Sequence, residues 1–283
     1  MAKGMRRFFG DPAPIQKNYL DTDYWADAAA FEVLATVHVE VGVAAADQVE
    51  ETRWLQNIAD FNRGLAAGIV GAADLRHGAI EDLLAEHMQS VNFRGIRQIV
   101  GRHPAEDAKT GSDNLIDDPR WRMGLRVLRD LGLSFDLQMV PAQYARLYQV
   151  FKTMPELAVA ICHFGSPWDR SPEGFAHWRH WMARFATLPR FHIKFSGFGM
   201  FQPDWQASDI APFVAEAVAL FSPQRCMVGS NFPVDKLYGG FDRIWRALDI
   251  LTASLAPSDR QALFHDTARR FYKLSDRSVK TAA

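Results

Sequence analysis

Seven short apolar runs, spread along the whole chain, have the length and composition of buried β-strands. They are rich in Val, Ile, Leu and Phe, as is typical of strands in a parallel sheet. The runs are Ala35–Val41, Ala67–Ala72, Phe93–Val100, Leu133–Met139, Leu157–Phe164, Phe191–Gly197 and Arg225–Ser230.

Amphipathic segments with the helical repeat follow these runs. The segments are Val49–Asn62, Ile80–Gln89, Pro119–Leu131, Pro141–Lys152, Phe175–Leu188, Asp209–Ser222, Tyr238–Leu255 and a last one from Pro257 to Leu274. Strands that alternate with helices in this way indicate a parallel sheet of βα units. Seven or eight such units with no linker between them predict one domain, a (β/α)₈ TIM-type barrel over residues 1–283.

Alternation within the runs predicts which side chains face the barrel interior. In the sixth run, Lys194 lies on the polar face, opposite apolar neighbours. In the first run the same rule turns His38 and Glu40 toward the interior, and Val37 and Val39 toward the helices.

Polar residues also gather near the carboxyl ends of the runs, where barrel enzymes keep their active sites. Arg97, His163 and Asn231 each lie near such an end, and Gln138 lies on the polar face of the fourth run. The residues expected to meet at one end of the barrel are Glu40, Arg97, Gln138, His163, Lys194 and Asn231.

Each of these positions has a structural alternative. Glu40 and Lys194 would also fit a buried ion pair that only fills space, but Lys and Glu are rarely buried without a reason. His163 would also fit a core histidine, yet the nearby Gly165 and Pro167 place it where a loop begins. The pattern therefore favours a functional role for Lys194 and His163.

The two cysteines and the loop tryptophans are judged by position. Cys162 adjoins His163, and neighbouring strand residues point to opposite faces, so no thiol–imidazole pair is expected. Cys162 and Cys226 are both interpreted as core packing. Trp168 follows the fifth run and is expected to cover a substrate.

Charge and cysteine content exclude several classes of function. The 283 residues hold 32 Lys+Arg and 33 Asp+Glu, a net charge of -1, so no nucleic-acid or membrane-surface partner is expected. No apolar run approaches the ~18 residues of a membrane helix. Two cysteines make no disulfide framework, which favours a cytoplasmic location. A small-molecule substrate is the expected partner.

Five motifs in fixed order give the chain a family resemblance. They are VHVE at 37–40 with ETRWL at 51–55, FRGIRQ at 93–98, CHFGSP at 162–167, IKFSG at 193–197 and MVGSNFPV at 227–234. Together they resemble the amidohydrolase-related (amidohydrolase 2) family of TIM-barrel hydrolases, in its sugar-lactonase-like branch. The resemblance implies a site at the strand carboxyl ends and hydrolysis of a cyclic ester or a similar bond. Some relatives use one divalent metal and others none.

The first departure from the family pattern concerns the opening strand. The family's first strand ends in His-x-His, and this sequence contains no His-x-His. We therefore expect that strand to be missing and Met1 to be an internal start, with Zn²⁺ or Mn²⁺ bound only if an upstream His-x-His exists. A barrel opened by one strand has two unpaired edges, which invite formation of a homo-oligomer.

The second departure is Asn231, which stands where the family has an acidic residue after its last strand. An amide cannot act as a base and is a poor metal ligand beside a carboxylate. No metal ligand is therefore assigned in this chain.

Lactone hydrolysis needs an activated water and hydrogen-bond donors for the oxyanion. Lys194, Arg97 and His163 are the predicted donors, for that oxygen or for a substrate carboxylate, while Asn231 would orient the water or the substrate. The candidate bases are Asp235, Glu40 and His163.

Two other functions stay open at this point. A decarboxylase of the same superfamily is disfavoured, because the relatives in question depend on a metal and its histidine ligands. A barrel that lost its chemistry and only binds a small molecule is favoured by Asn231 and the missing strand. The retained Arg97, His163 and Lys194 oppose it.

Overall fold

One parallel sheet organises the protein in the computed structural model, which describes residues 8–62, 64–103, 106–107 and 112–275. Its seven strands lie side by side in chain order. They are β1 (Val37–Val39), β2 (Gly68–Ala72), β3 (Phe93–Ile99), β4 (Ser134–Gln138), β5 (Val159–Ile161), β6 (Phe191–Phe195) and β7 (Cys226–Val228). Each of the seven predicted runs therefore contains one strand.

Helices lie before, between and after the strands, and the longer ones pack against the outer face of the sheet. They are α1 (Asp21–Asp27), α2 (Gln48–Phe61), α3 (Ile80–Met88), α4 (Pro119–Asp130), α5 (Tyr144–Phe151), α6 (Pro172–Ala186), α7 (Phe198–Phe201), α8 (Ala207–Phe221), α9 (Phe241–Thr252), α10 (Pro257–Gln261) and α11 (Thr267–Phe271). A π-helical turn, Ala262–Asp266, joins the last two.

Local chemistry fixes where several helices begin. The Asp118 side chain accepts a hydrogen bond from the backbone N–H of Arg120 at the start of α4, and Ser171 does the same for Gly174 at α6. Both helices have proline at their first position, where its missing N–H costs nothing. None of the helices in the described ranges combines the length and apolar composition that a bilayer crossing requires.

The main core lies between the outer face of the sheet and the helices. It is built around large fully buried rings, among them Trp121, Trp178, Phe135, Phe151 and Phe191. Burying each such side chain contributes roughly 1.5–3 kcal/mol, so this layer dominates the stability of the sheet.

A second, smaller cluster fills the inside of the curled sheet, with Val70, Ala160, Met227, Phe271 and Tyr272 as its buried members. The last two come from the C-terminal helical segment. The Phe271 ring lies 4.6 Å from the imidazole of His192, which points inward from β6. The C-terminal segment therefore fills part of the space inside the curled sheet.

The predicted facing is wrong for Val37, His38 and Val39 in the first run. Val37 and Val39 pack against the inner cluster, and His38 points outward, with its Nε2 3.9 Å from Glu51 Oε1 on α2. At this depth the interior is filled by apolar side chains. The valines of β1 therefore face the interior, and the imidazole of His38 faces the helices.

The sheet does not close on itself. β1 and β7 are its two edges, and no strand pairing joins them in the described part of the chain. The architecture is TIM-barrel-like, with seven parallel strands curled into an open barrel.

Candidate active site

A cavity of about 1420 Å³ opens at the carboxyl ends of the strands and continues into the gap between β1 and β7. The chemically active side chains on its wall come from β3, β6, the segments after β1, β5, β6 and β7, and the C-terminal segment. They are Glu40, Arg97, Cys162, His163, Lys194, Ser196, Asn231 and Tyr272. Five of the residues predicted to meet at one end of the barrel are therefore brought together.

Lys194 and Asp136 form an ion pair at the centre of this wall. Lys194 Nζ lies 2.6 Å from Asp136 Oδ2, and Asp136 is completely buried. The two residues come from β6 and β4, on either side of β5, so the sheet itself sets their separation. The carboxylate therefore balances the ammonium charge from within the barrel.

Arg97 and Glu40 form a second ion pair beside the first. Arg97 Nε donates to Glu40 Oε1 at 2.6 Å, and its Nη2 also donates to the Glu40 carbonyl oxygen. Burial alone would lower the pKa of Arg97, but the Glu40 carboxylate raises it above its ordinary value. The guanidinium therefore stays charged and holds the loop after β1 against β3.

His163 sits in an unusual turn that begins one residue after β5. His163–Ser166 is a run of four residues with positive φ, at 52°, 55°, 77° and 63°. For the three that are not glycine this backbone costs about 1–3 kcal/mol each. Tyr144 donates to the carbonyl oxygen of Gly165 at 2.5 Å, and Trp178 donates to that of Phe164 at 2.7 Å. Two buried rings from α5 and α6 therefore hold the strained turn in place.

This turn overturns the expectation that Cys162 and His163 face opposite ways. Both line the cavity, because the left-handed backbone at His163 breaks the alternation of the strand. Cys162 is thus part of the site wall as well as of the core. Burial raises the pKa of its thiol to about 11, so it stays protonated.

The imidazole of His163 is held neutral. Burial, with added repulsion from Arg97 and Lys194, lowers the pKa of His163 to about 3. Its Nδ1 lies 2.8 Å from the hydroxyl oxygen of Ser196. Gly197 permits this approach, since a Cβ there would lie 2.7 Å from the same Nδ1.

Asn231 and Asp235 lie one behind the other after β7. Asn231 lines the cavity with a φ of 53°, and its Nδ2 lies 3.1 Å from the sulfur of Met200. Asp235 is buried behind it and accepts a hydrogen bond from the backbone N–H of Gly199 at 3.1 Å. Burial raises the pKa of Asp235 to about 7, against the opposing influence of Asn231 and nearby backbone N–H groups.

Three residues predicted for the site do not line this cavity: Gln138, Trp168 and Asp235. Gln138 is buried at the end of β4. Trp168 packs edge-on against Phe8 and Phe201, with ring centres 5.2 Å and 4.8 Å away. It belongs to an aromatic cluster above the strand ends.

Sequence reasoning missed Ser196 and Tyr272. Ser196 lies two positions from Lys194, so the alternation within the sixth run predicts that both side chains face the interior. Tyr272 follows a helix far from any strand end, and no periodicity in the sequence marks it as interior. Its hydroxyl donates to Asp136 Oδ1 at 2.9 Å.

The donor set of the cavity does not fit a resident metal ion. The carboxylates of Glu40 and Asp136 are each engaged by a cation, and Nδ1 of His163 is engaged by Ser196. Across the described ranges, His, Cys, Asp and Glu form no group of three or more that is arranged to hold an ion. These residues therefore do not provide the ligand set that a metal-bound water would need.

A solved structure shares this architecture. An amidohydrolase from Burkholderia multivorans with bound zinc superposes with a TM-score of 0.82 at 23% identity, over 93% of this chain and 91% of that one. At this identity the likeness concerns the fold alone.

Two relatives match over most of their length. The uncharacterized protein y4mH of Sinorhizobium fredii is 41% identical over 268 residues, 94% of this chain and 89% of that protein. The L-fucono-1,5-lactonase of Burkholderia ambifaria is 27% identical over 230 residues, 80% of this chain and 76% of that protein. The amidohydrolase family model matches residues 5–274, nearly the whole chain. With the curled parallel sheet and the polar cluster at its strand ends, this match shows that the chain belongs to the amidohydrolase family.

Proposed function

We propose that the protein hydrolyses a small, uncharged lactone, a cyclic ester of a polyhydroxy acid. The observation that carries this proposal is the charge balance of the cavity. Each of the two cations at the strand ends, Arg97 and Lys194, already has a carboxylate at 2.6 Å, and His163 is neutral. A carboxylate substrate would have to compete with Glu40 or Asp136 for its counter-ion.

The same balance disfavours a decarboxylase, whose substrate carries the carboxylate that it loses. An uncharged ring with several hydroxyl groups can instead use the N–H and O–H groups of the wall without displacing an ion pair. The similarity to L-fucono-1,5-lactonases, at 27% identity, supports a lactone as the substrate class.

In the proposed reaction, water adds to the lactone carbonyl and the ring C–O bond then breaks. Lys194 and Arg97 place N–H donors where charge develops on the carbonyl oxygen. Such donors act more strongly in a site that excludes bulk water. Asn231 orients the lactone or the water from the opposite side of the cavity.

His163 is proposed as the base that takes the proton of the attacking water and returns it to the ring oxygen as the C–O bond breaks. It lines the cavity as a neutral imidazole, whereas Glu40 is held by Arg97 and Asp235 lies behind Asn231. With a pKa of about 3 for His163, the base form is fully present at pH 5. Turnover should therefore be level between pH 8 and pH 5, whereas a base such as Asp235, with a pKa of about 7, would lose activity below pH 7.

We further propose that the native sheet is closed by an eighth strand in the gap between β1 and β7. Among the described residues no strand pairs with the outer edge of β1 or of β7, and the cavity extends into the gap between them. Reading the in-frame codons upstream of Met1 tests this. A strand-like segment ending in His-x-His supports it, and an early stop codon contradicts it.

The experiment that tests the function is a screen of aldonolactones with 1,4- and 1,5-rings, with and without Zn²⁺ or Mn²⁺. A pH indicator reports the acid that hydrolysis releases. We expect hydrolysis of at least one lactone, and Lys194→Met should lower its turnover by about 10²–10³, as loss of an oxyanion donor does. Lys152→Met, on the exposed end of α5, is the matched control and should leave turnover unchanged. Lactones that bind without hydrolysis under any condition would support the binding-protein alternative instead.

A further inference from the structure

Tyr272 enters the cavity from the end of α11 rather than from a strand or a loop that follows one. It is nearly fully buried inside the curl of the sheet, beside Val70, Ala160 and Met227. Its hydroxyl group lies 2.9 Å from Asp136 Oδ1 and 3.1 Å from Oδ2. Both of these hydroxyl contacts are therefore with one carboxylate, that of Asp136.

Asp136 is shared between Tyr272 and Lys194. Its Oδ2 is 2.6 Å from the ammonium of Lys194, and that ammonium also lies 5.2 Å from the centre of the Tyr272 ring. The ring thus makes a cation–π contact with the ammonium, while the hydroxyl group donates a hydrogen bond to the Asp136 carboxylate. Three side chains from β4, β6 and the C-terminal segment form one chain of contacts.

The hydroxyl group matters because Asp136 is completely buried. A buried carboxylate oxygen without a donor loses its hydration and gains nothing in return, so each oxygen must find a partner. Burial and the Asp136 charge raise the pKa of Tyr272 well above its ordinary value, so the phenol remains a donor at neutral pH. With Oδ1 satisfied by the phenol, Lys194 needs to supply only one of its three N–H groups to Asp136.

We propose that Tyr272 is a positioning residue, which by occupying Asp136 keeps the Lys194 ammonium at the cavity surface with two N–H groups free for a substrate oxygen. Without the phenol, Asp136 would draw the ammonium deeper to satisfy its second oxygen. The consequence for turnover rests on the proposed lactone hydrolysis, whereas the consequence for the position of Lys194 does not.

The test removes only the hydroxyl group, with Tyr272→Phe in the full chain. Acetylation of Lys194 by a succinimidyl ester, followed by peptide mass spectrometry, reports how exposed the amine is without any substrate. We expect Lys194 to react about fivefold more slowly in Tyr272→Phe, the factor equivalent to about 1 kcal/mol. Tyr148→Phe removes a hydroxyl group from a ring packed among the outer helices and should leave the rate unchanged. An equal or faster rate in Tyr272→Phe would overturn the proposal.

A second variant shows whether Tyr272 acts through Asp136. Asp136→Asn should release Lys194 and speed its acetylation, and adding Tyr272→Phe to it should then change nothing further. An additional change in the double variant would overturn the positioning role, because Tyr272 would be acting on Lys194 directly.

Turnover gives the third measurement once a lactone has been identified. Tyr272→Phe should lower kcat about tenfold and leave KM within about twofold, because the displaced donor acts on the transition state. A kcat equal to that of the parent protein would count against the proposal. If no lactone is hydrolysed by the parent protein, the proposed function fails while the acetylation rates still decide the role of Tyr272.

Discussion

The wall formed by β3 to β6 and the edge formed by β1 and β7 contain similar strand residues but differ in how they are held. On the wall, Trp121 of α4 is fully buried against Phe135 of β4, with ring centres 6.0 Å apart. Beside the edge, Trp54 of α2 borders the open gap and is 46% exposed. A tryptophan is therefore a core residue on one side of the barrel and a surface residue on the other.

The site residues follow the same division. Asp136 and Lys194 lie on the wall, where flanking strands hold their backbones on both sides. Glu40 and Asn231 follow the two edge strands, and contacts from other elements hold them: Arg97 for Glu40 and Met200 for Asn231. Site residues of the wall are therefore positioned by two flanking strands, whereas those beside the edges depend on side-chain contacts from other elements.

The largest expected effect that tests this comparison is on stability. Trp121→Ala should lower the free energy of unfolding by about 3–5 kcal/mol, because it leaves a cavity in a packed layer. Trp54→Ala should lower the free energy of unfolding by about 0.5 kcal/mol, because a half-exposed ring buries little apolar surface. Urea unfolding of both variants measures the difference. Similar costs would mean that the edge is packed as tightly as the wall.

A second test compares how His163, after a wall strand, and Asp235, after an edge strand, respond to pH. An unfolded imidazole titrates near pH 6.5, but the pKa of His163 in the folded protein is about 3. Between these values the unfolded state binds more protons, so the contribution of His163 falls as the pH drops, by about 2 kcal/mol between pH 6.5 and pH 5.

Asp235 has the opposite sign. Its folded pKa of about 7 lies above the unfolded value, so the folded state binds more protons between about pH 4 and pH 7. Its contribution therefore falls as the pH rises, on the order of 2 kcal/mol between pH 5 and pH 7. Relative to the parent protein, His163→Gln should gain stability at pH 5 over pH 7, and Asp235→Asn should gain it at pH 7 over pH 5. Shifts of the same sign in urea unfolding at the two pH values would contradict the burial of one of these groups.

The smallest expected effect concerns two indole N–H groups. Trp121 Nε1 donates to Gln98 Oε1 at 3.1 Å, whereas the buried Nε1 of Trp245, beside the gap, has no hydrogen-bond partner in the described residues. Trp121→Phe should therefore cost about 1 kcal/mol more than Trp245→Phe. Thermal unfolding of the two variants measures this, and equal losses would show that Trp245 finds a partner in solution.

The number and order of the strands could be predicted because each run is apolar and is separated from the next by an amphipathic segment. Facing could be predicted for β6, where Lys194 and Ser196 alternate with buried aromatic and aliphatic residues. It could not be predicted for β1, because a three-residue strand with two valines and one histidine fits either orientation. Only the apolar inner cluster, assembled from other strands, decides it.

The rest of the site depends on backbone and long-range contacts that a linear pattern does not contain. Cys162 and His163 face the same cavity because of a left-handed turn. Tyr144 of α5 and Trp178 of α6 stabilise this turn by hydrogen bonds to its backbone. Asp235 could be placed after β7, but its position behind Asn231 depends on the backbone of Gly199.

The hydrogen bond between Tyr272 and Asp136 spans 136 residues of sequence, which has a consequence for biosynthesis. A ribosome makes the chain from its N-terminus, so β4 has emerged while the phenol that satisfies its buried carboxylate is still untranslated. Until Tyr272 has been synthesised, Asp136 must stay hydrated, and water cannot be excluded from the interior of the barrel. The completion of this active site is therefore a late event in the production of the molecule, timed by the release of the C-terminal helix.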